Sequence, residues 1–288
     1  MNTIESAHSV AKITRVGITD DEFNRVTSYL SKKYGLRIPK EKKMMFESRF
    51  TKRLHALKLL TFKEYFDFAF NKENNEYLNF VDLATTHKTF FFREDYQFDF
   101  LKKILPEYLR KASNNNVNIW SAGCSTGEEV YTLGIVMNEF REENSSFDYR
   151  ITGTDISIPS LRSAAAGSFS EAELANIPVD LQKKYFQVSE TNPAKPLVFS
   201  NSTVTSRINL GVLNLNNPVY NLKPSFDFIF CRNVIIYFDA ATQKRVLEKL
   251  VGKLKPGGFL FLGHSETAIG STLPIRSVRP TIYQKNWI

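Results

Sequence analysis

Three polar segments each follow an apolar, strand-like run, and their residue types suit the binding of a small ligand. The first is the turn from Ser121 to Glu129, which reads SAGCSTGEE. Its small residues let a ligand approach the backbone, and a helix beginning at Glu128 would point free amide groups at that ligand. The turn lacks the GxGxxG pattern of dinucleotide folds and the lysine of a phosphate loop. Glu128 and Glu129 would repel phosphate and suit a cationic ligand, although the same charges also complement a helix dipole.

The second segment ends in Asp155, which closes the next apolar run. A carboxylate here, about 28 residues beyond Gly127, can accept hydrogen bonds from both hydroxyls of a ribose. Together with the glycine-containing turn, Asp155 indicates an adenosine-type ligand without phosphates.

The third segment is FDFIFCRNVIIYFD, from Phe226 to Asp239. An apolar run of this kind is typical of a strand buried on both faces. Where the run ends, it would bring Cys231, Arg232 and Asn233 to the crevice at the end of the sheet.

The elements around these segments alternate between strands and helices. Strands are predicted at 117–122, 149–154, 226–231 and 259–262, with helices at 128–140 and 240–254. This order predicts the α/β class, with a doubly wound parallel sheet whose ligand crevice lies at the carboxyl ends of the strands. Residues 192–209 contain two prolines and short β-branched runs, and they are predicted to form a small inserted antiparallel piece.

The N-terminal third is predicted to be helical, after a polar tail at residues 1–19. Asp20 or Asp21 is expected to cap the first helix, and Gly35 to end it. The next helical segment, residues 42–60, combines one apolar stripe with a neighbouring cationic face. That face carries Lys42, Arg49, Lys52 and Arg53.

Composition narrows the class of protein. The chain has 288 residues, of which 42% are hydrophobic and 24% are charged, as is typical of a globular protein of about two domains. No apolar run approaches the roughly 18 to 20 residues of a membrane span. Two cysteines cannot build a dense disulfide framework, which favours a reducing compartment, with the cytoplasm expected.

The net charge is +8, and residues 32–63 hold eleven basic and two acidic residues, so an acidic partner would dock there. The alternative is that these charges only solvate a surface helix.

Four ordered blocks resemble the chemotaxis receptor methyltransferases, the CheR family. They are THKTFFFRE at 86–94, SAGCSTGEE at 121–129, FDFIFCRNVIIYFD at 226–239, and the glycine pair 257–258 followed by GHSE at 263–266. The resemblance covers about residues 20–285. It implies a protein-glutamate O-methyltransferase that uses S-adenosylmethionine. It also implies a helical N-terminal domain with linker at 20–95, a Rossmann-like S-adenosylmethionine-binding domain at 96–288, and an inserted antiparallel β-subdomain at about 170–208.

The resemblance also implies which residues contact the cofactor. Asp155 would hold the ribose, and Asn214 and Leu215 would flank the adenine. His87 stands where the family usually has Asn, and neutral imidazole offers a similar donor or acceptor. The full set of expected cofactor contacts is His87, Thr89, Arg93, Glu128, Glu129, Asp155, Asn214, Leu215, Cys231, Arg232 and Asn233.

The implied chemistry needs neither a catalytic triad nor a metal. A glutamate carboxylate with a pKa near 4.3 is already ionised at neutral pH, so alignment with the methyl group is the main task. Arg93 and Tyr237 are the residues expected to position the reacting groups. The alternatives are an ion pair between Arg93 and Glu94, and a merely packed Tyr237.

The implied partners are the cytoplasmic helical bundles of methyl-accepting receptors, docking on Lys42, Arg49, Lys52 and Arg53. The β-subdomain could additionally bind a receptor's C-terminal peptide by strand addition. We expect a monomer that neither binds nucleic acid nor inserts into a membrane. A nucleic-acid methyltransferase and a non-catalytic receptor-binding adaptor remain alternatives. The first is disfavoured because no Asp/Asn-Pro-Pro-aromatic turn follows residue 231, where Arg232-Asn233-Val234 stands.

Overall fold

A computed structural model describes residues 17–71, 73–189, 197–223, 225–268 and 272–287. Most of the predicted tail, residues 1–16, lies outside the described residues. The last part of that tail belongs to the first domain instead, because Ile18 is 3% exposed in its core and Thr19 caps its first helix.

Four helices form the N-terminal part of the molecule. They are α1 (Asp20–Tyr34), α2 (Lys43–Ala56), α3 (Phe62–Ala69) and α4 (Glu76–Ala84). The cap of α1 is one residue earlier than predicted, because the Thr19 hydroxyl accepts from the Glu22 amide while the Glu22 carboxylate accepts from the Thr19 amide. Gly35 ends α1 as predicted, in the left-handed conformation at φ 73°. Buried aromatic rings fill the core between the helices.

A seven-stranded sheet forms the second part. Its strands are β1 (Asn116–Ala122), β2 (Asp148–Asp155), β6 (Ile208–Val212), β7 (Phe226–Cys231), β8 (Leu254–Leu262), β9 (Ile275–Arg279) and β10 (Ile282–Lys285). The order is β6-β2-β1-β7-β8-β10-β9. The first five strands in this order are parallel, and the pairs β8–β10 and β10–β9 are antiparallel.

Helices cover both faces of this sheet, and a separate apolar core lies between the helices and each face. The largest are α5 (Tyr96–Ala112), α6 (Glu128–Glu143), α7 (Ile158–Ala166) and α11 (Ala240–Lys253). The predicted doubly wound α/β architecture is confirmed. Because strand order reverses beside β1, the carboxyl ends of β1, β2 and β7 face a natural crevice.

A small antiparallel sheet is inserted between α7 and β6. Its strands are β3 (Ser168–Phe169), β4 (Phe186–Val188) and β5 (Leu197–Phe199), in the order β3-β5-β4. The same region contains the short helices α8 (Glu171–Leu174), α9 (Val179–Tyr185) and α10 (Ser202–Thr205). The insertion therefore begins earlier than residue 192 and ends before residue 208. Ile208 and Asn209, predicted to belong to it, pair in parallel with β2 in the large sheet.

The two parts contact each other directly at the crevice. Leu36, just after α1, forms an antiparallel bridge with Phe238, and the Arg37 amide donates to the Tyr237 carbonyl at 2.7 Å. Within the described residues, no helix combines the length and apolarity needed to cross a membrane.

Candidate active site

A cleft opens at the carboxyl ends of β1, β2 and β7 and is closed on one side by the N-terminal helices. The space in and above this cleft amounts to about 1050 Å³, including the part open to solvent. The structure brings most of the predicted site residues to this wall. They are His87, Thr89, Arg93, Glu129, Asp155, Asn214, Leu215, Arg232, Asn233 and Tyr237.

Two predicted contacts, Glu128 and Cys231, do not reach the wall of the cleft. Glu128 is buried at the start of α6, where it accepts a hydrogen bond from the Thr126 hydroxyl at 2.6 Å. Cys231 is buried in the apolar core under the sheet, and this burial raises the pKa of its thiol well above the usual range. Each is next in sequence to a residue that does line the cleft, Glu129 and Arg232 respectively. Neighbouring side chains on a strand or helix point in different directions, so Glu128 and Cys231 point away from the cleft.

The glycine turn is fixed by close backbone packing. Gly123 has φ +95°, and a Cβ atom added to it would lie 2.5 Å from Val234 Cγ2. Only glycine allows the turn after β1 to approach the turn after β7 so closely. This contact joins two of the three predicted segments.

Asp155 is held by the same turn. Its Oδ2 accepts from the Ser125 amide and its Oδ1 accepts from the Ser157 amide, both at 2.9 Å. Two backbone donors fix the carboxylate at the end of β2, and each oxygen keeps a lone pair for a ligand hydroxyl.

Arg232 and Glu129 form a buried ion pair under the cleft. Arg232 Nε lies 2.7 Å from Glu129 Oε2, with the side chains 3% and 11% exposed. A second guanidinium nitrogen of Arg232 donates to the Arg93 carbonyl at 2.7 Å and to Gln97 Oε1 at 3.2 Å. The Ser121 hydroxyl donates to Glu129 Oε1 at 2.6 Å. Arg232 therefore ties the linker before α5 to both β7 and α6.

Arg93 faces the cleft without an acidic partner among the described residues. Its guanidinium donates to the Lys88 carbonyl at 2.9 Å and lies over the Phe90 ring. Glu94, the alternative partner, instead accepts from the His264 amide at 3.1 Å. The structure thus does not show the ion pair weighed against a role for Arg93.

His87 belongs to a polar network between the two parts of the molecule. Its Nε2 lies 2.7 Å from Thr85 Oγ1 and 3.2 Å from Asp82 Oδ1, and its Nδ1 lies 3.1 Å from Ser160 Oγ. Asp82 also accepts from the hydroxyl of Ser157, the residue that caps α7. Burial by itself lowers the pKa of His87, but the hydrogen bonds and charge of Asp82 outweigh it and raise the pKa above its ordinary value.

The N-terminal part of the molecule also contributes to the cleft, which no pattern in the sequence predicted. Tyr34, Leu36, Arg37 and Ile38, from the end of α1 onward, form one side of its wall. Asn214 is bound to the same segment, since its side-chain amide donates to the Lys33 carbonyl at 2.9 Å. The sequence signal nearest to this rim was Gly35, which ends α1, but nothing local indicated what the following residues contact.

The side-chain oxygen of Asn233 is a buried atom beside the cleft. Asn233 Oδ1 is buried and accepts no hydrogen bond within the described part of the chain. Asn233 itself sits in the left-handed region at φ 59°. A buried acceptor of this kind is costly unless a ligand donor meets it, so the site fits a ligand that carries an N–H or O–H group.

The four cationic residues predicted on α2 and just before it differ in their surroundings. Arg53 donates to both carboxylate oxygens of the buried Glu76, at 2.8 and 2.5 Å. Arg49 donates to the Thr85 carbonyl at the end of α4, at 2.8 Å. Lys42 and Lys52 are exposed, and Lys42 Nζ lies 6.0 Å from the centroid of the Tyr237 ring.

Two protein-family models match consecutive parts of the chain. The all-alpha domain of CheR methyltransferases matches residues 21–85, and their SAM binding domain matches residues 87–283. The chain belongs to the CheR methyltransferase family. The CheR cofactor is S-adenosylmethionine, and the cleft described above lies mainly in the domain that binds it.

Several curated CheR relatives are similar along most of their length. The chemotaxis protein methyltransferase of Borreliella burgdorferi is 35% identical over 300 residues, covering 99% of this chain and 100% of that protein. Chemotaxis protein methyltransferase 2 of Pseudomonas aeruginosa is 34% identical, covering 92% of this chain and 93% of its own. The chemotaxis protein methyltransferase of Escherichia coli K12 is 32% identical, covering 88% and 86%. Across the described residues of this CheR chain, no cluster of side chains could hold a metal ion.

Proposed function

We propose that this chain methylates glutamate side chains in the cytoplasmic domains of chemoreceptors, giving glutamate methyl esters and S-adenosylhomocysteine. When bound, S-adenosylmethionine supplies a methyl group on a positively charged sulfur, and transfer forms an O–C bond as the C–S bond breaks to leave a neutral thioether. The reaction leaves no proton to be removed, because the acceptor carboxylate is already ionised at neutral pH.

The charge of the cleft wall carries this proposal. Its two carboxylates, Glu129 and Asp155, each accept two hydrogen bonds from the protein. Arg37, Lys88 and Arg93 on the same wall have no acidic partner within the described residues. This excess of positive charge favours an anionic acceptor over a neutral or cationic one.

The wall residues divide into two proposed roles. Asp155 would accept hydrogen bonds from the ribose hydroxyls, and Asn233 Oδ1 would accept from a donor on the methionyl part of the cofactor. Arg93 and Tyr237 would orient the acceptor carboxylate, and the close contact of the N-terminal rim would exclude water from it.

We assign receptor docking to two exposed lysines, Lys42 beside Tyr237 and Lys52 on α2. Because Arg49 and Arg53 hold internal partners, they maintain the helical domain, and Lys42 and Lys52 are left to attract an acidic receptor helix. Docking beside Tyr237 would bring one glutamate of that helix to the cleft. A receptor substrate of this kind is consistent with action in the cytoplasm.

The proposed function is tested by incubating the enzyme with methyl-labelled S-adenosylmethionine and purified receptor cytoplasmic fragments. We expect label on the receptor fragment that mild base removes, since methyl esters hydrolyse in base. The variants Arg93→Ala and Tyr237→Phe should lower turnover at saturating cofactor. Wild-type turnover in both variants would remove these two residues from the mechanism.

The docking assignment has its own test. Lys42→Glu and Lys52→Glu should raise the KM for receptor at low salt while leaving cofactor affinity unchanged, because they reverse charge only at the docking face. Lys103→Glu, an equal charge reversal at an exposed position on α5, is the matched control. Equal KM values in all three variants would refute this docking face.

A further inference from the structure

The carboxylate of Glu266 is a buried anchor that the proposed function leaves unassigned. The side chain is 4% exposed and lies in the turn after β8. Its Oε2 accepts from the amides of Gly263 at 2.6 Å and Asn233 at 2.8 Å. Its Oε1 accepts from the amides of Val234 and Ile235 at 2.8 Å and of Ile236 at 3.3 Å. Four of these five donors belong to consecutive residues of the loop that follows β7.

This loop carries the groups that the proposed function places in the cleft. Asn233 and Tyr237 both line the cleft, and Val234 fills the space beside Gly123. The left-handed turn at Asn233 and the 3-10 turn at Ile235–Tyr237 direct successive amides to one side. These amides converge on one point, and the buried carboxylate of Glu266 accepts hydrogen bonds from all four.

The turn that bears Glu266 is itself fitted to the loop. A Cβ atom on Gly263 would lie 2.6 Å from the Asn233 amide nitrogen, so only glycine permits this approach. The Glu266 amide donates back to the Gly263 carbonyl at 2.9 Å, which closes the turn around the carboxylate.

We propose that Glu266 is a positioning residue for methyl transfer, because its carboxylate holds the 233–237 loop in the conformation that presents Asn233 and Tyr237 to the cleft. The inference rests on the proposed function in the roles given to Asn233 and Tyr237. Glu266 touches neither cofactor nor acceptor in this scheme and acts through the loop.

The test compares Glu266→Gln with Asp227→Asn. The first variant preserves the size of the side chain but turns one acceptor into an N–H donor that faces backbone amides. Asp227 is an equally buried carboxylate, 2% exposed, near the opposite end of β7, where it accepts from the Asn118 amide and the Tyr108 hydroxyl, both at 2.7 Å, and forms an ion pair with Lys255 at 2.8 Å. Both variants lose a buried acceptor, but only one of them adjoins the cleft.

Three measurements are made on the purified full-length enzyme. In Glu266→Gln we expect faster hydrogen exchange at amides 234–237 and a fall in kcat of about 10- to 100-fold, because small displacements of positioning groups are costly. Tyr237→Phe should then cost less in the Glu266→Gln background than in the wild type. In Asp227→Asn the exchange of this loop should be unchanged and kcat should stay within about twofold, whatever the loss of thermal stability. Should Glu266→Gln not fold, Glu266→Asp, which shortens the reach but keeps the charge, is measured in its place.

Unchanged loop exchange, or an equal loss of kcat in Asp227→Asn, would overturn the role of Glu266. The proposed function fails by a different observation, since it is decided by methyl transfer from the wild-type enzyme and by the effect of Tyr237→Phe in the wild-type background. Hydrogen exchange in Glu266→Gln tests whether Glu266 holds the 233–237 loop, whether or not the proposed function is correct.

Discussion

Replacing Arg232 by methionine should destabilise the enzyme strongly, because it leaves the Glu129 carboxylate buried without its cation. The guanidinium is 3% exposed and 2.7 Å from that carboxylate. Removing one partner of a buried ion pair costs about 3–5 kcal/mol, and here the Arg93 carbonyl and Gln97 also lose a donor. We therefore expect Arg232→Met to lower the free energy of unfolding by about 3–5 kcal/mol.

Urea unfolding of a double-mutant cycle separates this effect from lost packing. Because Glu129→Gln removes the charge that Arg232→Met leaves unpaired, the double variant should be more stable than the sum of the single changes predicts. Lys63→Met, which breaks an exposed ion pair with Asp67, is the control and should leave stability unchanged.

The same variants report on the cleft. Since Arg232 bonds to the Arg93 carbonyl, its loss should loosen the linker and weaken binding of S-adenosylhomocysteine, measured by calorimetry at a temperature where the variant is folded. A loss of stability below about 1 kcal/mol, within the range of a surface pair, would refute the view that Arg232 ties the linker and α6 to the end of β7.

Two further predictions concern the turn after β1 and the contact between the two domains. Gly123→Ala should lower the free energy of unfolding by about 2–5 kcal/mol, because it adds left-handed strain and a clash with Val234. The control is Gly252→Ala, which should not destabilise the protein because nothing lies within 4 Å of the added Cβ atom. Equal effects of the two variants in urea unfolding would contradict this prediction. The raised pKa of His87 beside Asp82 means that the stability contributed by protonated imidazole is fully present below pH 6.5 and is lost as the pH rises through the folded-state pKa. His87→Asn should therefore flatten the stability profile above pH 6.5, and a profile parallel to that of the wild type would contradict the ion pair.

The central strands were predictable because their signals are local. The run from Phe226 to Cys231 is buried along its whole length and forms β7 with the predicted bounds. By contrast, β6 is an edge strand with only partly buried and exposed residues, so its sequence from Ile208 to Val212 lacks a continuous apolar signal. The sequence therefore predicts no strand here, and it places only the first two residues of β6, Ile208 and Asn209, in the insertion.

Site residues were predictable where a motif lies at a strand end. Asp155 and Asn233 reach the cleft because the carboxyl ends of parallel strands share one edge. Partners distant in the chain were not predictable. The Arg53 side chain was interpreted as part of a docking face, but it binds Glu76, a residue 23 positions away that only the packing of α2 on α4 brings near. The rim from Tyr34 to Ile38 was missed for the same reason.

The most direct test of the central claim is to locate the transferred methyl group on a receptor fragment by peptide mass spectrometry before and after mild alkali. We expect a methyl ester on a glutamate side chain that alkali removes, formed only with active enzyme and S-adenosylmethionine. A methyl group that survives alkali on a lysine or arginine, or no methylation of the fragment at all, would contradict it.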